Sequence, residues 1–243
     1  MKLLDLRVVW ETALSRRGAT SHRDLMEQVY ARQAQIYDHT RDGILHDRQA
    51  LLDALPFAKD LIWADIGAGT GQSIERIGVR AHELKHTYLF DVCPSLLDEA
   101  RKRKKRHSWK QVSIVEVDIA ATKPAIHLQV DILSFSYSLS MMGNWRQALD
   151  HAYQMMKPGA VIGVVDFYLP RRSSGFAGML KYLVAKYFWR NWFAVAHVHL
   201  DRERLAYLRE KFAGISLEEK TARISYLPVL PCPYFIFIGR KPV

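Results

Sequence analysis

Two hydrophobic periods alternate along this chain of 243 residues. Near the start, Leu3, Leu6, Trp10, Ala13 and Leu14 fall on one side of a short amphipathic helix over 3–14. A second helix is predicted from Ser21, a side chain suited to N-capping, to Tyr37. A third spans roughly Leu45 to Leu55 and stops at Pro56. Beyond it, short apolar runs alternate with helical stretches. Strands are predicted at Leu61–Ile66, Thr87–Phe90, Val112–Val117, Val130–Phe135 and Ala160–Phe167. Helices are predicted at Gly71–Val79, at Pro94–Arg106 with proline in its first turn, and at Asn144–Met156. Lys157-Pro158-Gly159 reads as a turn. Helices near 174–193 and 201–212 precede two last strands, near Ile215–Arg223 and Tyr234–Gly239. This alternation predicts an α/β fold with a doubly wound, mostly parallel sheet of seven strands and added N-terminal helices. The unbroken apolar run Val161–Val165 suits a strand buried on both faces. The expected division is a helical cap over 1–56 and an α/β domain over 57–243.

Composition narrows the class. Apolar residues make up 49% and charged residues 25%, which excludes disordered, collagen-like and disulfide-scaffold proteins. Cys93 and Cys232 show no CxxC spacing, so a reduced, cytoplasmic chain without a zinc site is expected. No apolar run approaches the roughly 20 residues of a spanning helix. Asp5, Arg7 and Glu11 interrupt the apolar core that a signal peptide needs, so secretion is not expected.

The net charge of +10 is concentrated in two places. Residues 101–110 hold seven Lys/Arg and no acid, and residues 171–190 hold five (Arg171, Arg172, Lys181, Lys186, Arg190) and no acid. Outside both, 23 basic residues face 25 acidic ones, so the excess is a matter of patches. Such patches suit an anionic surface, either membrane or nucleic acid, and the first also reads as a solvated helix end. Phe176, Met179, Leu180, Leu183, Val184, Tyr187, Phe188 and Trp192 recur at helical spacing. This stripe either covers the sheet or, with its basic flanks, lies on an anionic bilayer. The helix with Trp10 and Arg7 competes for the second role.

The sharpest chemical signal is Asp65-Ile66-Gly67-Ala68-Gly69-Thr70-Gly71, placed where the first sheet strand ends and a helix begins. Glycines there permit tight turning and close backbone approach to a ligand, and the helix N-terminus favours a carboxylate or phosphate. Asp91, just past the second strand, is placed to accept hydrogen bonds from ribose hydroxyls. Asp118, after the third strand, is placed to meet the exocyclic amine of an adenine. The adjoining Val92 and Ile119 belong to the same candidate cofactor surface. The spacing is GxGxG, where a dinucleotide fold more often has GxGxxG. The ordered series Asp65, GxGxG, Asp91, Asp118 resembles the class I S-adenosylmethionine (SAM) methyltransferase pattern, whose ligand carries a carboxylate, a ribose and an adenine. The Lys157-Pro158-Gly159 turn is similar to a structural turn of that superfamily.

Finer features point to one branch. After the fourth strand stands Ser134-Phe135-Ser136-Tyr137-Ser138-Leu139-Ser140-Met141-Met142, without the Asn/Asp-Pro-Pro-aromatic tetrapeptide of nucleobase methyltransferases. Nucleic acid is therefore not expected as a partner. Tyr30 to Asp38 with Thr40-Arg41, this serine-rich run, Val165 to Arg172, Phe188 to Leu200 and Tyr226 to Lys241 together resemble the N-methyltransferase of betaine-lipid synthesis. Met142-Gly143 departs from that family's pattern. The resemblance implies threefold methylation of diacylglyceryl-homoserine, attachment to the periphery of a membrane, and a partner enzyme that transfers the aminocarboxypropyl group. Phosphatidylethanolamine or quinone methylation is the alternative within enzymes; a basic nucleic-acid-binding module is the alternative outside them.

Methyl transfer from a sulfonium is an in-line displacement governed by positioning, so no metal or nucleophile triad is required. Aromatic faces tolerate the positive charge that accumulates on a methylated amine. Tyr37, Tyr137 and Tyr168 are the candidates, each equally readable as a core aromatic. Tyr30 and Ser136 are candidate cofactor contacts. Arg41 is a candidate for a carboxylate, of SAM or of the headgroup. Asp166 at the end of the fifth strand is a candidate proton acceptor. His197 and His199 would share one face of a strand, for proton acceptance or headgroup binding, or would sit in a polar loop.

Overall fold

The computed structural model describes residues 19–122, 128–172, 175–224 and 227–243, apart from the side chains of 177, 181, 228 and 229. The helix expected over 3–14 lies outside these residues.

The N-terminal helices come first. Helix α1 (His22–Tyr30) is capped as expected by Ser21, whose side chain accepts from the Asp24 amide at 3.1 Å. The predicted single helix to Tyr37 is broken: a 3-10 turn (Ala34–Ile36) leads into α2 (Tyr37–Arg41). Helix α3 (Arg48–Ala54) follows. Then come β1 (Ile62–Ile66), α4 (Gln72–Arg76), α5 (Arg80–Glu83), β2 (His86–Asp91), α6 (Pro94–Arg106), β3 (Val112–Glu116), β4 (Val130–Ser136) and α7 (Trp145–Met155). The last part holds β5 (Met156–Phe167), α8 (Phe176–Leu183), a π-helical stretch (Val184–Trp189), α9 (Arg190–Val195), α10 (Glu203–Lys211), β6 (Ala213–Ile224) and β7 (Leu227–Arg240).

The seven strands form one sheet in the order β3-β2-β1-β4-β5-β7-β6. Its first five strands are parallel, and β7 runs antiparallel to both neighbours. The doubly wound α/β fold read from the sequence is therefore the fold of the chain. Lys157-Pro158-Gly159 is a bulge inside β5: Val130 pairs with Met156, and two residues on Ile132 pairs with Val161. Gly159, at φ +76°, takes the left-handed turn that this excursion needs.

Core packs on both faces of the sheet, which explains the near-continuous apolar strands. Leu51 of α3 and Leu55 just after it pack so closely on β5 that a Cβ at Gly163 would lie 2.9 Å from each. The stripe read over 176–192 divides. Ala185, Trp189 and Phe193 face the core, while Phe176, Leu180, Leu183 and Tyr187 are exposed. Among the described residues no helix is long and apolar enough to cross a membrane.

The strand order reverses between β1 and β4, so a crevice opens at the C-terminal ends of these strands. That crevice holds the site described next.

Candidate active site

Three cavities meet at Tyr37. The first, about 620 Å³, lies over the ends of β1, β2, β3 and β4. Tyr30, Tyr37, Gly67, Gly69, Asp91, Val92, Asp118, Ile119, Ser136 and Tyr137 all line it, so ten residues singled out from the sequence share one cleft. Helix α1 covers it with His22, Met26 and Tyr30.

Asp91 is enclosed at the end of β2. Its Oδ2 accepts from the Gly69 amide at 2.8 Å and its Oδ1 from the Cys93 amide at 2.9 Å. Burial pushes its carboxyl above the usual range, and these amides pull it back. Gly67 turns at φ +73° directly against Ser138, whose hydroxyl donates to the Ile66 carbonyl at 2.7 Å. Gly71 serves as the left-handed N-cap of α4 rather than as a wall of the cleft.

Asp118 meets a residue that the sequence reading missed. His22 Nδ1 lies 3.0 Å from Asp118 Oδ2. The hydrogen bond to His22 lowers the Asp118 pKa, and the same bond raises that of His22. No local signal marks His22, because its partner is 96 residues away. The sign of the pH effect follows from both shifts. The His22 share of the pair's stabilisation is present below about pH 6.5 and is lost as pH rises through the raised His22 value. The Asp118 share is present above the ordinary carboxylate range and is lost as pH falls through the lowered Asp118 value. Amide exchange across 22–30, corrected for intrinsic rates, is therefore expected to accelerate from about pH 6 to about pH 8. His22→Gln should flatten that dependence; protection in the wild type that ignores pH would remove the pair from this role.

The second cavity, about 740 Å³, shares Tyr30, Tyr37, Tyr137 and Met141 with the first. These four side chains form the partition. Tyr30 and Tyr37 meet edge to face at 5.4 Å. The Tyr137 hydroxyl donates to the His46 carbonyl at 2.8 Å, which fixes its ring beside Phe167 at 4.6 Å. Tyr137 adopts φ +54°, so the chain turns sharply as it leaves β4. Burial holds all three phenols neutral, with pKa values above the ordinary tyrosine range. Arg41 is placed in this second cavity, over the Tyr37 ring at 5.3 Å, and not in the first. Apart from Ser140, the remaining wall is apolar, from Val29, Ile44, Leu45, Trp192, Phe193, Val195, Ala196 and Val198 among others.

The third cavity, about 540 Å³ and polar, lies behind the glycine loop. Ala68 and Thr70 line it, with Asp65, whose carboxylate accepts from the Ser134 hydroxyl at 2.6 Å and from the Ser73 hydroxyl. The Thr70 hydroxyl is turned to Asp38 at 2.7 Å. Arg48, also missed from the sequence, lines this space, and its Nε is buried without a hydrogen-bond partner, as is Ser136 Oγ.

Other expected site residues lie elsewhere. Asp166 is fully buried, with Oδ2 accepting from the Ser140 amide at 2.7 Å and Oδ1 from the Phe167 amide at 2.8 Å. Burial raises its carboxyl and the nearby Arg204 guanidinium opposes the shift. It holds the turn after β4 and lines none of the three cavities. Tyr168 sits on the opposite sheet face, against Phe235 at 5.6 Å. Because strand side chains alternate, its neighbour Phe167 is the one that lines the second cavity. His197 and His199 are not in a strand: the chain turns after α9 with His197 at φ +58°. Both line an outer groove beside Asp118 and Asn144, outside the second cavity.

The three cavities suit SAM and an acceptor. Asp91 and Asp118 present carboxylate oxygens to the first cavity, and Arg48 Nε and Ser136 Oγ are buried polar atoms without a hydrogen-bond partner on the first and third cavities.

Comparison with known proteins agrees with this geometry. Residues 64–162 match a family model described as a methyltransferase domain. The 2-phytyl-1,4-naphtoquinone methyltransferase of Nostoc punctiforme is 24% identical over 151 residues, which is 60% of this chain and 65% of that protein. The match thus spans just under two thirds of that relative. Among solved structures, phosphoethanolamine N-methyltransferase 2 of Haemonchus contortus in complex with SAM superposes with TM-score 0.70 at 13% identity, over 93% of this chain and 61% of that one. An O-methyltransferase family protein from Burkholderia thailandensis superposes with TM-score 0.66 at 16% identity, over 98% and 70% of the two chains.

Proposed function

We propose that this chain is a class I SAM-dependent methyltransferase and that it methylates the amino group of a lipid with an acidic headgroup, diacylglyceryl-homoserine, up to the trimethyl product. The observation that carries this reading is Arg41, the only charged side chain on the described wall of a largely apolar cavity beside the cofactor cleft. A lone cation suits the carboxylate of such a headgroup, and the apolar wall suits its glyceryl and acyl portion.

SAM, when bound, supplies an electrophilic methyl group. The acceptor nitrogen must be neutral to use its lone pair. No Asp, Glu or His lines the described wall of the second cavity, so nothing there stabilises an ammonium by ion pairing. Enclosure and the nearby Arg41 both lower an amine's pKa and favour the neutral nucleophile. The proton leaves to water before each transfer. The faces of Tyr30, Tyr37 and Tyr137 then accept the charge that a quaternary product cannot shed, at roughly 0.5–2 kcal/mol each. Cofactor binding is assigned to Asp91 at the ribose, Asp118 at the adenine and Arg48 at the carboxylate. The homoserine group itself would come from an earlier aminocarboxypropyl transfer.

The test is an incubation of methyl-labelled SAM with vesicles holding diacylglyceryl-homoserine, phosphatidylethanolamine or a prenylated naphthoquinone. Stepwise label in the homoserine lipid is expected. Label in the quinone alone would favour the second reading, which the similarity to the Nostoc enzyme supports. Arg41→Ala should raise KM for the homoserine lipid about tenfold or more, since a hydrogen bond to a charged group contributes roughly 1.5–3 kcal/mol, with a smaller change in kcat. An unchanged KM would take the carboxylate away from Arg41.

A further inference from the structure

The segment from Phe176 to Val195 is apolar on two opposite faces, and only one is used by the protein. Ala185, Trp189 and Phe193 are buried. Trp189 donates its indole N–H to the Pro231 carbonyl at 2.8 Å, and Phe193 stacks on Phe167 at 4.6 Å. Away from the core, Phe176 is 85% exposed, Leu180 51%, Leu183 39% and Tyr187 61%. Their spacing of four, three and four residues aligns them in one stripe. A helix whose core-facing side is already satisfied gains nothing in water from a second apolar stripe, and such stripes mark contact surfaces.

Charge identifies the occupant. Between Asp166 and Asp201 the sequence contains no acidic residue. Arg171 and Arg172, which precede the segment in sequence, and Arg190 within it are exposed, and Lys186 lies over the Tyr187 ring at 5.0 Å. An apolar stripe with a cationic border and no acid matches a bilayer with anionic headgroups. The C-terminal end of the same segment reaches the second cavity, because Trp192, Phe193 and Val195 line it together with the following Ala196. The other basic stretch lacks these features. There Arg103 pairs with Asp38 and Glu75, Arg101 with Asp98 and Lys102 with Glu99. None of the large apolar side chains exposed among the described residues belongs to α6.

We propose that this segment is the membrane-docking surface, with Phe176, Leu180, Leu183 and Tyr187 inserted among anionic lipids and Lys186 and Arg190 at headgroup level. The cavity mouth then opens at the bilayer, and a lipid reaches Arg41 without crossing water. The delivery step rests on the acceptor reading above, whereas the docking does not.

The experiment separates the two. The full chain is sedimented with vesicles of phosphatidylglycerol and phosphatidylcholine, or of phosphatidylcholine alone. Binding is expected to favour the anionic vesicles about tenfold or more and to weaken with salt. The variants Phe176→Ser/Leu180→Ser and Leu183→Ser/Tyr187→Ser should each lose about tenfold in vesicle binding while keeping SAM affinity. Methylation of diacylglyceryl-homoserine in vesicles should fall in parallel, and methylation of glyceryl-homoserine without acyl chains should not. Unchanged vesicle binding by both variants would overturn the docking surface. So would a wild type that binds no vesicles, or variants that alter only self-association in sedimentation velocity, which would make a second copy the occupant. Stripe-dependent vesicle binding with no methylation of either homoserine acceptor would leave the docking standing and remove the substrate.

Discussion

Asp91→Ala is expected to weaken SAM binding by on the order of a hundredfold or more. Asp91 closes β2 inside the cleft, and its carboxylate holds the Gly69 amide at 2.8 Å and the Cys93 amide at 2.9 Å. The substitution removes the acceptor assigned to two ribose hydroxyls, and hydrogen bonds to a charged group contribute roughly 1.5–3 kcal/mol each. It also releases the Gly69 amide, so the loop loses its anchor together with the ligand's partner. Asp91→Asn keeps the shape and one acceptor oxygen, but its amide hydrogens repel those of Gly69 or Cys93, so an intermediate loss is expected. The carboxyl is already raised by burial, so acid should protonate it sooner than an exposed aspartate and weaken SAM binding in the wild type. Calorimetric titration with SAM reads all three effects. Full affinity in the alanine variant would overturn the assignment of the cleft.

Gly67→Ala is expected to abolish measurable SAM binding and to lower the unfolding temperature. At φ +73° a side chain is strained, at about 1–2 kcal/mol. The added Cβ would lie 2.3 Å from Ser138 Cβ, so the turn after β4 must move. Overpacking of this kind costs about 1–3 kcal/mol. It also breaks the tie from the Ser138 hydroxyl to the Ile66 carbonyl, which joins β4 to β1 at the floor of the cleft. Gly69→Ala is the comparison. Its φ is +55°, but the nearest atom to the new Cβ is Leu96 Cδ1 at 3.8 Å, so only the backbone strain applies. Gly78→Ala, at φ +61° with nothing within 4 Å, controls for backbone strain far from the ligand. Equal losses of SAM affinity at Gly67 and Gly78 would show that strain, and not the contact with Ser138, decides the outcome.

The reading of the site changed most where a residue's partner is distant in sequence. Arg41 and Arg48 both follow the first helix, and spacing does not distinguish them; packing puts one on the aromatic cavity and the other behind the glycine loop. Asp166 looked reactive because it ends a strand facing the crevice. Burial against Ser140, Phe167 and Arg204 makes it a structural anchor.

What the sequence by itself determined was local and periodic. Apolar runs of strand length marked the first four strands close to their observed limits and the end of the fifth, whose start lies four residues before the expected Ala160, and Pro94–Arg106 coincides with α6. The order Asp65, glycine loop, Asp91, Asp118 followed because each acid sits at or just beyond a strand end, and in a parallel sheet those ends converge. The tertiary structure alone decided which side of a strand or helix meets the site. Phe167 and not Tyr168 lines the second cavity, because the pairing of β5 with β4 and β7 sets the register. His22 reaches Asp118, because α1 folds back over the cleft. The outer stripe of Phe176–Val195 is left to solvent, because a helix apolar on two faces carries no local mark of which face the core will take.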